Sequence, residues 1–132
     1  MKWYPKGLEG FLGGDIAIDT DTIKCVLVSS AYTQNDAHNA LDDVAAGRLG
    51  TSGALASKTI TNGVFDCADF NVDIDTDGTV DAAIFYKDTG TESTSLLIGY
   101  IDEDDAAAAI SKVVSIGDTV AVTVNASGVG TL

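Results

Sequence analysis

The stretch whose residue types and spacing come nearest to a chemistry is Asp73-Ile74-Asp75-Thr76-Asp77-Gly78-Thr79-Val80-Asp81. Carboxylates at its first, third, fifth and ninth positions, with glycine at the sixth, follow the opening of a calcium loop. In such a loop alternate oxygens converge on a hard cation and glycine makes the sharp turn. Asp73, Asp75, Asp77 and Asp81 are thus the candidate calcium ligands. The twelfth position, where a bidentate glutamate belongs, is Ile84, and no helices are expected on either side. The competing reading is a hairpin whose wet face carries Asp73 and Asp75 and whose turn is Asp77-Gly78.

Other chemistries find less support. Nucleophilic catalysis through a histidine has one residue to use, His38, set among Asp36, Asn39 and Asp42 with no nucleophile motif nearby. An exposed or capping histidine is expected there. Gly10, Gly13 and Gly14 lack the spacing of a dinucleotide loop, and no GxxxxGK[ST] occurs. Two cysteines and one histidine are too few for a zinc site. Cys25 and Cys67 each lie in an apolar run, where a free thiol acts as a small buried hydrophobe; a disulfide between them is the alternative. With twenty acids in 132 residues, some carboxylate pair falls at glycosidase spacing by chance. The expectation is a non-enzymatic protein with no cofactor beyond the candidate calcium.

The elements that position these residues are mostly strands. Ile23 to Val28 is a nearly continuous β-branched run and reads as a central strand buried on both faces. Phe70, Val72 and Ile74 alternate with Asn71, Asp73 and Asp75, a strand with one wet face. Val80, Ala82, Ile84 and Tyr86 continue past Asp77-Gly78, with Ala83 and Phe85 making that strand apolar on both sides. Leu96 to Ile101 and Val120 to Val124 complete at least five strands.

Two or three short helices are expected at the periphery. Pro5 to Leu12 places Leu8, Phe11 and Leu12 at helical spacing between Pro5 and the stop at Gly13-Gly14. Ala37 to Val44 has room for two turns. Asp102 to Lys112 runs from carboxylates through alanines to a lysine, the order that suits a helix dipole. Residues 29 to 36 and 50 to 57 read as exposed loops. No alternating strand–helix pattern appears, so the fold expected is mainly β, an antiparallel β-sandwich or compact barrel with two or three short peripheral helices. One domain spanning residues 1–132 is the natural division at this length.

Charge bounds the partners. Seven Lys and Arg against twenty Asp and Glu leave a formal net charge of −13. Phosphate-binding grooves need clustered cations, and here they are scattered singly from Lys2 to Lys112, so neither nucleic acid nor an anionic membrane is an expected partner. The acidity is read first as solubility through self-repulsion, and beyond that as suited to a divalent cation or a basic partner. No apolar run approaches the roughly 18 residues of a membrane span, and no secretory leader is visible.

Four segments carry a resemblance. Trp3-Tyr4-Pro5-Lys6-Gly7-Leu8-Glu9-Gly10-Phe11-Leu12-Gly13-Gly14-Asp15-Ile16 and Asp19 to Val28 come first, then Ala37 to Val44, then Tyr86 to Thr91 followed by Leu97 to Asp102. In sequence and order they resemble small virion structural proteins of tailed bacteriophages, across most of residues 3 to 102. Glu103 to Ser115, acidic and alanine-rich, departs from that pattern. What the resemblance implies is a virion component made in the host bacterial cytoplasm, without catalytic residues. A head decoration or cement protein is expected, bound in many copies to the major capsid protein, or to other virion proteins, as a homo-oligomer, by analogy a trimer. The alternative is a tail- or fibre-associated module recognising a host surface receptor. Trp3, Tyr4 and Phe11 are the candidate interface residues, since aromatic side chains dominate many interfaces; the competing reading has Trp3 and Tyr4 cap the core.

Overall fold

The computed structural model describes residues 1–131. Its described elements run β1 (Lys2–Trp3), α1 (Pro5–Gly13), β2 (Ile23–Val28), β3 (Arg48–Ser52), β4 (Thr59–Thr61), β5 (Val64–Asp66), β6 (Phe70–Ile74), β7 (Gly78–Val80), β8 (Ala82–Lys87), β9 (Leu97–Ile101), β10 (Lys112–Val114), β11 (Thr119–Val122) and β12 (Gly130–Thr131). Single 3-10 turns stand at Leu41–Asp43 and Glu92–Thr94. The protein is mainly β, as its patterning predicts. Strands β1-β9-β8-β2-β3-β6-β11 form one antiparallel seven-stranded sheet, beside the small sheets β10-β7 and β12-β5-β4.

The continuous apolar runs occupy the centre because only there are both faces covered. β2 and β8 pair from Ile23↔Lys87 to Val28↔Ala82. Their alternate side chains supply two separate cores: Ile23, Cys25, Leu27, Ala83 and Phe85 on one face, Val26, Val28, Ala82, Ile84 and Tyr86 on the other. The first core is completed by Ile16, Ile18, Leu49, Val72, Ile74 and residues of the two small sheets; the second by Tyr4, Tyr32, Leu41, Val44 and Leu97.

The sheet is strongly curled. Phe70 in β6 and Phe85 in β8 are separated in the sheet order by β2 and β3, three inter-strand steps or about 14 Å along a flat sheet. Yet their ring centroids lie 6.2 Å apart in an edge-to-face contact. The sheet therefore folds over its first core, and the small sheets cover the remainder.

Several expected features are replaced by others. Asp77-Gly78 is not a hairpin turn: β6 pairs with β3 and β11, while β7 pairs with β10. A strand with one wet face belongs near the edge of the sheet, and the two-faced β8 belongs beside β2, so burial separates them despite the local turn signal. The Asp102 to Lys112 helix is also absent. Asp104 Oδ1 instead accepts the Ala106 and Ala108 amides at 2.9 and 3.0 Å, Ala107 adopts φ +58°, and Glu103 bridges Ala109. A short acidic side chain bonding the backbone just ahead of it favours a tight loop over a helix.

Between Ala37 and Val44 only the 3-10 turn forms. Asp43 Oδ2 accepts the Asn39 and Ala40 amides at 2.7 and 3.2 Å, and Arg48 donates to the Leu41 and Val44 carbonyls. Gly50 to Ser52, expected in a loop, lies inside β3. A Cβ on Gly50 would collide with the Asp73 carbonyl of β6, so glycine is what lets the two strands pair there. The helix expected from Pro5 does form, and Gly14 closes it with φ +84°.

Candidate functional site

The four candidate calcium ligands turn to four different neighbours. Asp73 Oδ1 accepts the Thr119 hydroxyl at 2.9 Å and Asp75 Oδ1 accepts Thr76 Oγ1 at 2.9 Å. Asp77 Oδ1 takes the Ile116 amide at 2.7 Å, and Asp81 Oδ2 takes the Ser30 amide at 2.8 Å. Once the chain crosses from β6 into the small sheet, alternate positions no longer share one side of a loop. Among the described residues no three acidic, histidine or cysteine side chains are grouped in a metal-binding arrangement. Cys25 and Cys67 are free thiols in the first core, and burial pushes both up, Cys67 to about 11.

The three N-terminal aromatics separate into core and surface. Tyr4 is 0% exposed, so its side chain offers nothing to a partner and the core-capping reading holds for it. Its hydroxyl lies 2.8 Å from that of Tyr32, which lies 2.8 Å from His38 Nδ1. Burial, then the Tyr32 hydroxyl, raise the Tyr4 phenol far above its usual value, and burial also raises Tyr32. His38 is thus half-buried and bonded at the end of a hydroxyl chain, not simply exposed. Tyr32 sits in a polar loop, where composition alone does not mark it as core. An aromatic isolated among Ser29 to Asn35 is the sequence signal that the loop folds back onto the body.

Trp3 and Phe11 stay at the surface, each half-buried, and meet edge to face with centroids 5.8 Å apart. β1 holds Trp3 opposite Gly99, and α1 carries Phe11 above it. The helix lies unusually close to β9. A Cβ on Gly7 would run into the Leu97 carbonyl, and Gly10 is buried too. Those two glycines, which weaken the helix by propensity, are what allow it to press down onto the sheet. Leu12, next to Phe11, is 92% exposed. Trp3 of β1 and Phe11 of α1 thus pack together and partly against the first core, and Leu12 stands exposed beside them, leaving an apolar patch at the junction of strand and helix, with the Lys6–Glu9 ion pair (2.6 Å) on the same helix. This patch is the candidate interaction surface. No family model, curated protein or solved structure matches the chain.

Proposed function

We propose that this chain is a non-enzymatic virion component of a tailed bacteriophage, attached in many copies to the outer head shell as a cement or decoration protein. The observation that carries the reading is the half-buried Trp3–Phe11 pair, where β1 meets the docked helix, with the exposed Leu12 beside it, in a protein of net charge −13. Aromatic anchors backed by a rigid element lose little entropy on binding. The remaining acidic surface keeps crowded copies soluble and apart. The four-segment resemblance to phage structural proteins supports the same reading, and by analogy the copies act as trimers on the major capsid protein.

The test is stoichiometric binding of the purified protein to undecorated heads, followed by sedimentation. The wild type co-sediments in a fixed number of copies per shell, whereas Leu12→Asp and Phe11→Asp, with the fold retained, do not. Binding to tails or to host cells, with none to heads, sinks the cement reading in favour of a receptor-binding module.

A further inference from the structure

A second surface lies away from that patch and is built differently. Among the described residues β11 is the last strand of the large sheet, paired on one side only, with β6. Beside it opens a cleft of about 310 Å³, at the low end of the roughly 300–1,000 Å³ of ligand pockets. Leu27, Ala83, Phe85 and Ile110 contribute its apolar lining. Its wall is residues 120 to 125 without a gap. Of these β11 supplies Val120, Ala121 and Val122 in succession; side chains on a strand alternate between faces, so consecutive residues along one wall mean that the cleft runs along the backbone edge of β11.

That edge has hydrogen-bonding groups to offer. The Ile74 amide donates to the Asp118 carbonyl at 2.8 Å, which sets the phase of the ladder. In antiparallel pairs, residues bonded to the partner alternate with residues whose N–H and C=O point the other way. Val120 and Val122 are thus bonded to β6, while Thr119 and Ala121 turn their backbone groups outward. The rim of the cleft carries Glu103, Asp104 and Asp105, with Lys112 the one cation lining it; Asp104 Oδ1 already holds the Ala106 and Ala108 amides, and Asp105 Oδ2 accepts Asn125 Nδ2 at 2.8 Å.

We infer that this cleft docks an extended segment of a basic partner protein, added as a strand on the free edge of β11. Its apolar side chains enter the cleft, and a Lys or Arg sits against Glu103 and the remaining oxygens of Asp104 and Asp105. Backbone bonds supply affinity in this mode and alternate side chains supply selectivity. A small cation would leave the outward backbone groups unused. A second copy of this chain would bring its own acidic rim and a net charge of −13 to the same place.

The experiment is a titration of isotope-labelled protein, followed by amide resonances, with acetyl-Lys-Val-Thr-Val-Lys-amide and its Glu-for-Lys counterpart. The basic peptide should saturably shift the amides of Thr119, Ala121 and Glu103 to Asp105 and slow exchange at Ala121. The acidic peptide should bind at least about tenfold more weakly. Ala121→Pro should remove peptide binding with the fold intact, because proline is tolerated where a strand N–H faces outward. Glu103→Lys, an exposed change, should erase the discrimination between the two peptides even if the proline variant does not fold. Equal binding of both peptides by the wild type, or binding unchanged in a folded Ala121→Pro, overturns the inference. So does self-association through the same amides without peptide, or tetramethylammonium binding as well as the peptide. These outcomes are independent of head binding through Leu12, so the two proposals fail separately.

Discussion

The phenol oxygens of Tyr4 and Tyr32 stand 2.8 Å apart in the core, and Tyr32 also reaches His38 Nδ1 at 2.8 Å. The two hydroxyls are consequently not equivalent. Tyr32→Phe leaves the fully buried Tyr4 hydroxyl without its partner, which costs about 1–3 kcal/mol. Tyr4→Phe removes a hydroxyl from a dry site while Tyr32 keeps His38, and costs less. Urea unfolding of both variants checks the order; the reverse order would show that the chain of hydroxyls is not what holds the N-terminal segment to the loop.

The two buried thiols make stability fall in alkali. Burial raises Cys67 to about 11 and raises Cys25 as well, Cys67 itself adding to the effect on Cys25. An unfolded chain releases these protons from about pH 8.5. The folded state still holds them there, so the contribution is complete below about pH 8.5 and is lost as pH rises through about 11. Tyr86, raised to about 12 chiefly by burial, extends the loss above the usual phenol value of about 10. Unfolding midpoints measured across this range should decline, and Cys67→Ala should flatten the decline between about pH 8.5 and about 11. A wild-type midpoint unchanged over that interval would contradict the account.

Gly7→Ala tests the close seat of α1. Helix propensity alone favours alanine by about 1 kcal/mol. The added Cβ meets the Leu97 carbonyl, and overpacking of that kind costs about 1–3 kcal/mol. A net loss of stability is expected, together with a change in the tryptophan fluorescence of Trp3, whose ring packs on the same helix through Phe11. A stabilised variant would mean that the helix lifts off the sheet without penalty.

Arg48 joins two turns that are far apart in sequence. Its guanidinium donates to the Leu41 and Val44 carbonyls and forms a two-pronged pair with Glu92, at 2.7 and 3.1 Å. That guanidinium holds the Glu92 carboxyl below its ordinary value. Arg48→Ala removes the Val44 carbonyl's donor and leaves the Leu41 carbonyl with the Val44 amide alone, and losing such charge-assisted bonds costs about 1.5–3 kcal/mol. Glu92→Gln touches only the exposed half of the arrangement and should change stability far less. Thermal melts of the two variants distinguish these contributions.

Much of the secondary structure was legible because local patterning reports which faces of an element are covered. Ile23 to Val28 and Ala82 to Tyr86 are apolar on both sides, and they lie at the centre of the sheet. Pro5 and Gly14 bound the helix where their backbone preferences put it. Of the candidate interface, Trp3 and Phe11 do reach the surface, whereas Tyr4 is drawn inward by Tyr32, a partner 28 residues away. Nothing in the spacing of residues 3 and 4 distinguishes the two.

The sequence by itself determined a mainly β chain, two two-faced strands, one short helix and a strongly acidic surface, since all of these follow from residue type and local period. The tertiary structure decided where the acids go. Asp73 to Asp81 look like one loop or one hairpin only while β6 and β8 are taken as neighbours. Once burial sends β8 beside β2 and leaves β6 near the edge, their carboxylates disperse to Thr119, Thr76, Ile116 and Ser30. Period-two alternation tells a strand which of its sides is wet, but not which strand lies next to it. That choice belongs to the long-range packing of the two cores, which outweighs any local turn signal.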